Sequence, residues 1–487
     1  MSWADIYPWE RPGSGPGQGV VRGVYAQVRA AILGGALPPA SRLPSTRDLA
    51  ARLGVARASV VEAYEQLAAE GYLLSRRGAG AFVSADLSGL ADLAPSPVPP
   101  ALDRPEIPPP ARAFAATAGF TTLPGERPFN TGRTLLDPRA AAAWGRSTRR
   151  ALRHLGPEHF GYSDPQGDVA LRAAIADYLR AARGVVCEPG QVIVTTGAQH
   201  AVDIAARVLL TPGLPVWIED PHYPSTLHAV TQAKAQIHSI PVDRLGLSVA
   251  AGVAAAPDAR VAFVTPSHQY PLGVTLSMAR RLDLLAWARS AGAWIVEDDY
   301  ASEFRYGGPP LASLQGLDGG ERVIYVGTLN KALFPGLRLG YLVAPKALAG
   351  AMATARQIMD RQPSTLTQAI LLDFMAGGQF AAHIRRRRLA YRAQRDALAA
   401  ALETRLGDLV EVDVPDQGMH LIAYLKDGAD DLAAEAKVLA AGITARAISR
   451  LYRTAPPRSG LMLGFSGFPV SAMKPGVAAL ERALRAP

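Results

Sequence analysis

The chain has 487 residues, of which 49% are hydrophobic, so it can bury the cores of about two or three domains and is not wholly disordered. Its single cysteine, Cys187, excludes a disulfide framework and a thiolate zinc cluster. The net charge of +9 permits a polyanionic partner. The sequence shows neither a secretory leader nor a run of about 18 apolar residues, so we expect a soluble cytoplasmic protein without a membrane span.

A small helical module is predicted at residues 15–85. A helical pattern covers Val20–Leu33, and Ser45 can cap a second helix that is followed at once by a third. Two short β segments come next, Tyr72–Ser75 and Ala81–Val83. This order of elements is typical of a winged helix-turn-helix.

DNA recognition requires cations that contact phosphates and a helix start that faces base edges. Five side chains of the module meet this requirement, on the first turns of the two helices and on the tip of the hairpin: Arg47, Arg57, Ser59, Arg76 and Arg77. The alternative is an ordinary solvated, charged surface. We therefore interpret these residues as candidate contacts to double-stranded DNA.

The small module resembles the DNA-binding domain of GntR-type transcription regulators. The matching residues are Leu43-Pro44-Ser45-Thr46-Arg47, Leu53-Gly54-Val55, Arg57, Glu70-Gly71 and Gly78-Ala79-Gly80. One position departs from the family, which often has Ser or Thr where this chain has Ala56. A helix cap or a phosphate contact is therefore expected to be missing there.

A proline-rich segment separates the module from the rest of the chain. Residues 95–110 contain eight prolines, which disfavour helices and central strands and favour extended polyproline II. We interpret residues 86–114 as a semi-rigid linker, and the alternative is a loop on a domain surface.

The large module, residues 115–487, alternates apolar runs with helical patterns. The candidate strands are Val192–Thr195, Val216–Glu219, Val261–Thr265, Trp294–Glu297, Val323–Val326 and Gly340–Ala344. Such alternation predicts an α/β fold with a mainly parallel sheet.

Lysine is rare in this chain, since only six of the 51 basic residues are lysines. Lys331 directly follows a predicted strand and has the polar neighbours Thr328 and Asn330. Lys346 also follows a strand and is the rival, whereas the remaining lysines lie in polar surface contexts. Lys331 is therefore the best candidate for a reactive lysine.

Three further strand ends carry polar or aromatic residues. Asp298 and Tyr300 follow an apolar strand, where a carboxylate needs a cationic partner unless the segment is a turn in water. A glycine turn, Thr196-Gly197-Ala198-Gln199, opens a helix as anion sites do, and Arg338 suits a phosphate. Tyr223 can stack on a ring or simply pack. A lysine, an anion, a phosphate cup and an aromatic cover are what pyridoxal 5'-phosphate requires.

The order of these elements resembles fold-type I aminotransferases. Two segments are similar to signatures of the MocR subfamily, in which a GntR-type reader is fused to an aminotransferase-like domain: Thr265-Pro266-Ser267-His268-Gln269-Tyr270-Pro271-Leu272-Gly273 and Glu297-Asp298-Asp299-Tyr300-Ala301-Ser302-Glu303-Phe304-Arg305-Tyr306. The resemblance covers nearly the whole chain.

The resemblance implies roles for the cofactor residues. It implies that Lys331 forms the Schiff base, that Asp298 holds the ring nitrogen and that Tyr300 holds the ring hydroxyl. It implies that Tyr223 stacks on the ring. The phosphate is then bound by Arg338, Thr328 and the turn formed by Thr196, Gly197, Ala198 and Gln199.

The resemblance also implies a transcription regulator that senses a primary-amine or amino-acid-like ligand through an external aldimine. We expect a homodimer, domain-swapped, that binds an operator. The alternatives are an active aminotransferase with an appended reader and a large domain that serves only as a dimerisation scaffold. The ligand, the direction of regulation and any enzymatic activity stay open, with γ-aminobutyrate, taurine and the cofactor itself as candidate ligands.

Two positions depart from working aminotransferases. Tyr270 stands where they carry an asparagine, and Met462 stands where they carry the arginine that binds the substrate carboxylate. Arg450 is our candidate replacement for ligand binding, with Arg453 and Arg458 as rivals. The histidines show no metal-ligand spacing, so no metal is expected, and the basic run at residues 385–388 is read as a solvated or dimer-contact face.

Overall fold

The computed structural model describes most of the chain and divides it into two units, Met1–Phe120 and Thr121–Pro487. The described residues are 7–12, 19–76, 79–87, 107–116, 127–135, 137–308 and 311–486. The predicted linker at residues 86–114 falls largely outside them, so the domain limits stay predictions.

Unit 1 contains a helix-turn-helix followed by a two-stranded hairpin. Its elements are α1 (Val20–Leu33), α2 (Thr46–Leu53), α3 (Arg57–Ala69), β1 (Leu73–Arg76), β2 (Gly80–Val83) and α4 (Pro109–Ala116). The hairpin strands pair antiparallel, with Leu73 opposite Val83. This arrangement confirms the predicted winged helix-turn-helix. Helix α4 begins inside the proline-rich segment, because proline is tolerated in the first turn of a helix.

The apolar faces of α1, α2 and α3 meet in one core. Its fully buried members include Val24, Val28, Leu49, Val60 and Leu67. The two helices of the motif begin differently. Ser45 Oγ accepts a hydrogen bond from Asp48 N (3.1 Å) at the start of α2, whereas α3 begins after Ala56, which has no side-chain oxygen.

Unit 2 is built from two sheets and the helices that cover them. The helices are α5 (Pro138–Arg153), α6 (Val169–Arg183), α7 (Ala198–Leu209), α8 (Pro224–Gln232), α9 (Val249–Ala255), α10 (Met278–Ala291), α11 (Leu314–Asp318), α12 (Leu329–Ala332), α13 (Lys346–Asp360), α14 (Thr365–Ala376), α15 (Gln379–Leu406), α16 (Asp431–Ala440) and α17 (Met473–Arg485). No helix among the described residues combines the length and the apolar character that a membrane span requires.

The strands of unit 2 form a large and a small sheet. They are β3 (Val192–Thr195), β4 (Pro215–Asp220), β5 (Gln236–Asp243), β6 (Gly246–Leu247), β7 (Val261–Val264), β8 (Trp294–Asp299), β9 (Val323–Thr328), β10 (Gly340–Val343), β11 (Val410–Asp413), β12 (His420–Leu425), β13 (Arg446–Ala447) and β14 (Gly460–Gly464).

The large sheet has the strand order β3-β10-β9-β8-β7-β4-β5-β6. The strands from β9 to β5 in this order run parallel, and β10 is antiparallel to both of its neighbours, so β3 points the same way as β9. The α/β fold with a mainly parallel sheet is therefore confirmed. The carboxyl ends of β3, β4, β8 and β9 meet at one edge of the sheet.

Both faces of the large sheet are buried, as the near-continuous apolar runs of its strands require. Val216 and Ile218 of β4 pack in one core with α7 and α13, and Trp217 packs on the opposite face with α9 and α10. The Trp217 indole stacks on Trp287 (3.8 Å between centroids) and donates to Ala256 O (3.1 Å). The sheet is the middle layer of three.

The small sheet is antiparallel, with the order β11-β12-β14-β13. Leu461 and Leu463 of β14 face the main core, which includes the apolar residues of α15, α16 and α17. Met462 faces the other way and packs with Ile422, Tyr270 and further apolar side chains. The two faces of this sheet therefore have different surroundings, and the second one looks toward the loop after β7.

All six predicted strands are present, with ends that differ by at most two residues. Strand β5 was not predicted. It is half-exposed along most of its length and contains Pro241 and several polar residues, so it lacks the apolar run that marks the other strands. The extension of β8 to Asp299 has a functional consequence, because it makes Asp298 part of a buried strand.

The different starts of α2 and α3 give a matched pair of substitutions. Ser45→Ala removes the cap of α2 and should lower local stability by about 1 kcal/mol, whereas Ala56→Ser adds a cap to α3 and should raise it by a similar amount. Hydrogen exchange of the α2 and α3 amides in the full chain measures both effects. Faster exchange in α3 of Ala56→Ser would contradict the capping account.

Candidate cofactor site and DNA-binding surface

The candidate site lies at the carboxyl edge of the large sheet, where open α/β sheets bind ligands. Asp298 comes from β8, and Lys331 follows β9 in the short helix α12. The turn at residues 196–199 follows β3, and Tyr223 follows β4. Residues that are far apart in sequence thus meet at one edge because the strands that carry them share a direction.

Lys331 is half-buried and is held by the start of α12. Thr328 Oγ1 accepts a hydrogen bond from Asn330 N (3.2 Å), which caps this helix, and Lys331 Nζ donates to Thr131 O (3.4 Å). Burial lowers the pKa of the Lys331 ammonium, and the nearby positive charge of Arg446 lowers it further. A lowered pKa increases the neutral amine, which is the form that attacks a carbonyl.

Asp298 is a buried acid for which the described residues provide no ion pair. Its side chain is 5% exposed, and Oδ1 has no hydrogen-bond partner among the described residues. Burial raises its pKa to about 7, and the carboxylates of Asp299 and Glu219 add to the shift. An ionised Asp298 therefore requires a cation from outside the protein.

The two acids beside Asp298 have partners within the protein. Asp299 accepts from Arg183 Nε (2.8 Å) and from the Tyr325 hydroxyl (2.5 Å). Glu297 accepts from the amides of Leu314 and Gln315, both at 3.0 Å, at the start of α11. The acidic segment at the end of β8 thus has two carboxyls with partners within the protein and one, Asp298, that faces the site.

Aromatic rings surround the space next to Asp298. Tyr223 and Tyr270 pack edge to face (5.1 Å between centroids), and Tyr270 contacts Tyr300 in the same way (6.3 Å). Burial raises the pKa of Tyr300 well above its usual value, and its hydroxyl has no hydrogen-bond partner among the described residues. A cavity at this point is lined by Asp298, Tyr223, Glu219, His222, Thr226 and Thr265.

The turn at residues 196–199 forms the start of α7 and packs closely against α12. Gly197 has a φ of +133°, and a Cβ at this position would lie 2.8 Å from Asn330 Nδ2. His200 Nδ1 interacts with Thr196 N (3.3 Å) and Thr196 Oγ1 (3.1 Å). A helix start of this kind can bind an anion, and this one lies next to the helix that carries Lys331.

Arg338 is exposed and lies near this turn, close enough for its charge to contribute to lowering the pKa of His200, which burial lowers most. It has a left-handed φ of +52° at the end of the turn Pro335–Leu337. A guanidinium here suits a phosphate. The structure thus brings together all of the predicted cofactor residues at one sheet edge.

Two buried side-chain oxygens without a hydrogen-bond partner among the described residues test whether the site fits pyridoxal phosphate. Asp298 Oδ1 lacks a cation, and the Tyr300 hydroxyl lacks a polar partner, in the part of the chain that the structure describes. The pyridinium nitrogen and the ring hydroxyl of pyridoxal phosphate are groups of the required kinds, and a helix start with an arginine nearby suits its phosphate. The residues present therefore fit this cofactor.

The predicted ligand arginines lie in a loop that is fixed to the end of β4. Asp220 accepts backbone hydrogen bonds from Arg453, Thr454 and Ala455, all at 2.8 Å, which hold its pKa low although burial raises it. Arg450 forms an ion pair with Glu435 of α16, and Arg458 lies over the Tyr424 ring (3.6 Å). Both contacts are with other residues of this chain, so they do not assign either guanidinium to a ligand.

The sequence analysis did not single out several residues that shape this site. They are His200 beside the turn at residues 196–199, Asp220 next to the loop at residues 453–455, Arg183 beside Asp299, and Arg446 near Lys331. Asp220, Arg183 and Arg446 act on residues distant in the chain, which no local pattern reveals, whereas His200 contacts Thr196, four residues before it.

The helix starts of unit 1 carry the predicted DNA contacts. Arg47, Arg57 and Arg76 are exposed, Ser59 is half-buried, and Arg77 lies outside the described residues. Arg57 Nε donates to Thr46 Oγ1 (3.3 Å), which links the first turns of α2 and α3. Arg76 lies over the Phe82 ring (5.1 Å) on the hairpin. The exposed arginines thus lie on both helix starts and on the hairpin.

The basic run at residues 385–388 lies on α15 in unit 2. Arg386 pairs with Asp137, Arg387 lies over the Tyr391 ring (4.5 Å), and Arg388 Nε donates to Glu303 O (3.0 Å). These three arginines have structural contacts within unit 2.

Comparison with protein families gives two matches. Residues 128–456 match aminotransferase class I and II, whose members depend on pyridoxal phosphate, and residues 21–83 match the bacterial regulatory proteins of the gntR family. Together the two matches account for both units and agree with the geometry of each.

Individual relatives share both units. The chain is 38% identical to the probable rhizopine catabolism regulatory protein MocR of Rhizobium meliloti, over 96% of this chain and 94% of that protein. It is 33% identical to the pyridoxine biosynthesis transcriptional regulator PdxR of Corynebacterium glutamicum, over 90% of each chain.

A solved structure supports the assignment of the larger unit. Pyrococcus horikoshii kynurenine aminotransferase, in complex with PMP, is similar to this chain with a TM-score of 0.68 and 25% identity, over 78% of this chain and 95% of that one. With a GntR-type reader, an aminotransferase unit and regulators as full-length relatives, the chain belongs to the MocR subfamily of GntR-type transcription regulators.

Proposed function

We propose that this regulator binds pyridoxal phosphate at the edge of the large sheet and uses it to detect a primary amine. The observation that carries the proposal is the buried acid Asp298, which has no cationic partner among the described residues. A half-buried lysine follows the adjacent parallel strand. A buried carboxyl without a partner destabilises a protein unless a ligand compensates for it.

The residues that would hold the cofactor come from four strand ends. Asp298 binds the ring nitrogen, Tyr300 donates to the ring hydroxyl and Tyr223 covers the ring. Thr328, Arg338 and the turn at residues 196–199 bind the phosphate. Pyridoxal phosphate supplies an aldehyde that condenses reversibly with primary amines and a ring nitrogen that withdraws electrons when protonated.

Lys331 would act as the internal amine of the site. Its lowered pKa favours the neutral form, and Thr328 together with Asn330 fixes the helix that carries it. A ligand amine competes with Lys331 for the same position. Ligand entry would therefore release the Lys331 side chain, which changes the contacts at the start of α12.

The proposed readout is the DNA affinity of unit 1. Two copies of the chain would form a homodimer, with a domain-swapped arrangement, and read a palindromic or direct-repeat operator in the cytoplasm. The relative MocR is a probable regulator of rhizopine catabolism, and PdxR regulates pyridoxine biosynthesis, so small metabolites are the appropriate class of effector.

The second candidate function is an active aminotransferase. The similarity to kynurenine aminotransferase and the lowered pKa of Lys331 favour it. The aromatic Tyr270 and the fully buried Met462 replace polar groups that orient the substrate in working enzymes, and misplacement by about 1 Å can cost about 100-fold in rate. We therefore expect ligand binding with at most trace keto-acid formation.

Lys331→Ala tests the assignment of the reactive lysine. The purified parent should absorb at about 420 nm because pyridoxal phosphate is condensed with Lys331, and the variant should lack this band. Lys346→Ala is the matched control, because Lys346 is an exposed lysine that pairs with Glu188 (2.7 Å). Loss of the band in Lys346→Ala, or its persistence in Lys331→Ala, would refute the assignment.

Asp298→Asn tests the buried acid. The pKa of Asp298 in the folded chain, about 7, lies above its unfolded value of about 3.9, so ionisation of this group opposes folding. Its stabilising contribution is fully present below about pH 4 and is lost as the pH rises through about 7. Without cofactor, Asp298→Asn should therefore flatten the fall in unfolding free energy between pH 4 and 7, while cofactor affinity drops.

Asp299→Asn is the control for that experiment. Asp299 pairs with Arg183 and Tyr325, so its substitution should destabilise the protein at neutral pH with or without cofactor. Chemical denaturation across the pH range measures both variants. If Asp298→Asn binds cofactor as the parent does, Asp298 is a structural residue and its proposed role is wrong.

Arg57→Ala tests the DNA-binding surface. A base-contacting arginine is worth about 1–3 kcal/mol, and a dimer would lose that contribution twice, so specific operator binding should be abolished while the cofactor spectrum stays unchanged. Arg207→Ala is the control, because it removes the same charge from an exposed position on α7. Footprinting that is normal for Arg57→Ala would exclude Arg57 from the interface.

A further inference from the structure

A second cavity in unit 2 is bounded by the basic run of α15. Its volume is about 320 Å³, which is within the range of small-molecule pockets. Three segments line it with polar and apolar residues: Tyr178 and Ala182 of α6, Glu303 in the turn after β8, and Arg385 and Arg388 of α15. None of the described residues that line it belongs to the proposed cofactor site, so the cavity is a separate candidate site.

The end of β8 separates this cavity from the candidate cofactor site. Successive residues of a strand point to opposite faces of a sheet, so Asp298 and Asp299 face different sides. Asp298 lines the candidate cofactor site. Asp299 accepts a hydrogen bond from Arg183, which lines the second cavity. The two sites therefore lie on either side of one strand end.

Glu303 supplies a buried carboxyl to the second cavity. Its side chain is 8% exposed, Oε1 accepts a hydrogen bond from the Tyr178 hydroxyl (3.0 Å), and Oε2 has no hydrogen-bond partner among the described residues. Burial raises the pKa of Glu303 to about 7, and the carboxylate of Asp299 adds to the shift. A cation beside Glu303 would therefore stabilise the ionised carboxyl.

The nearby guanidinium of Arg183 is bound to other partners. It donates to Asp299, to Ser267 Oγ and to Leu311 O, and its ion pair is with Asp299. Its charge opposes the rise in the pKa of Glu303 without reversing it. Because no cation forms an ion pair with Glu303 in the part of the chain that the structure describes, an ammonium group of a ligand can supply one.

Two arginines of the basic run add positive charge to the cavity. Arg385 is exposed, and Arg388 is half-buried and donates from Nε to Glu303 O (3.0 Å). Neither forms an ion pair with a carboxyl of the described residues, whereas Arg386 between them pairs with Asp137. Guanidinium groups bind carboxylates in a fork geometry. The α15 side of the cavity is therefore suited to a carboxylate.

Apolar side chains complete the lining. They are Ala182 of α6 and Ala381 and Ile384 of α15. Burial of hydrocarbon against such side chains is favourable, so the lining favours a ligand with a short hydrocarbon segment. An inorganic anion would satisfy the arginines but would leave Glu303 without a cation. A ligand with both signs of charge, joined by a few carbon atoms, matches all parts of the lining.

We propose that this cavity binds a small zwitterion, whose ammonium group pairs with Glu303 and whose carboxylate is bound by Arg385 and Arg388. The site does not depend on the cofactor or on an amine that reacts with it, so the inference goes beyond the proposed function. It also divides the basic run into two parts. Arg386 and Arg387 contact other residues of unit 2, and Arg385 and Arg388 face the ligand.

Zwitterions that cannot condense with an aldehyde test this proposal, because they cannot react at the cofactor site. N,N-dimethylglycine, N,N-dimethyl-β-alanine and N,N-dimethyl-γ-aminobutyrate carry a tertiary ammonium at increasing distances from a carboxylate. Each is compared with two single-charge analogues, in which an isopropyl group replaces the dimethylammonium group or a methyl group replaces the carboxylate. Calorimetry with the full-length protein at about pH 8, above the pKa of Glu303, gives the dissociation constants.

The parent should bind at least one zwitterion about 10-fold or more tightly than both of its analogues. Glu303→Gln, which can keep the hydrogen bond to Tyr178, should remove the advantage over the analogue without the ammonium. Arg385→Gln, at an exposed position where folding is not at risk, should reduce the advantage over the analogue without the carboxylate. Arg207→Gln removes an exposed charge from α7 and should change neither.

Three results would overturn the inference. In the first, no zwitterion exceeds both of its analogues in the parent. In the second, Arg385→Gln and a folded Glu303→Gln bind the zwitterion as the parent does, which would place the ligand elsewhere. In the third, inorganic phosphate binds more tightly than every zwitterion, which would assign the cavity to an anion alone.

Discussion

The organisation of unit 2 depends on a buried carboxyl at the end of a parallel strand. Strand β8 carries Asp298 into the interior. The two acids next to it in the strand have partners within the protein, since Asp299 accepts from Arg183 Nε and Glu297 accepts from the amide of Leu314. Asp298 has no such compensation in the described part of the chain. In the proposed function a cationic ligand group supplies it, and the other features of the site surround the space next to Asp298. Lys331, the turn at residues 196–199 and the aromatic rings all lie at the same sheet edge because parallel strands end together.

The small sheet packs against the loop that carries Tyr270. Hydrogen bonds from the loop at residues 453–455 to Asp220 fix this part of the chain to the end of β4. The face of the small sheet that looks toward the candidate site carries apolar side chains and Arg446. This face differs from that of a working aminotransferase at Met462, and the adjacent loop differs at Tyr270. Retention of the cofactor residues together with altered substrate contacts is what a sensor requires, because its ligand must stay bound while a signal is passed to DNA.

Much of this account could be predicted from the sequence, for identifiable physical reasons. Lys331 and Asp298 were predicted as site residues because each follows a short apolar run in the sequence. Such a run is a local pattern that indicates a buried strand. Strand β5 was missed because it is half-exposed and contains Pro241. Arg446 was missed because its proximity to the site follows from the register of β13 against β14, which no spacing in the sequence reveals. The role of Asp299 likewise depends on Arg183, more than a hundred residues away.

The central claim is that Asp298 is buried in order to hold a protonated ring nitrogen. Nuclear magnetic resonance of the protein loaded with pyridoxal phosphate that is labelled with ¹⁵N in the ring tests it directly. The account predicts a protonated nitrogen at and above neutral pH in the parent protein, and an unprotonated one in Asp298→Asn. An unprotonated ring nitrogen in the parent at neutral pH would contradict it.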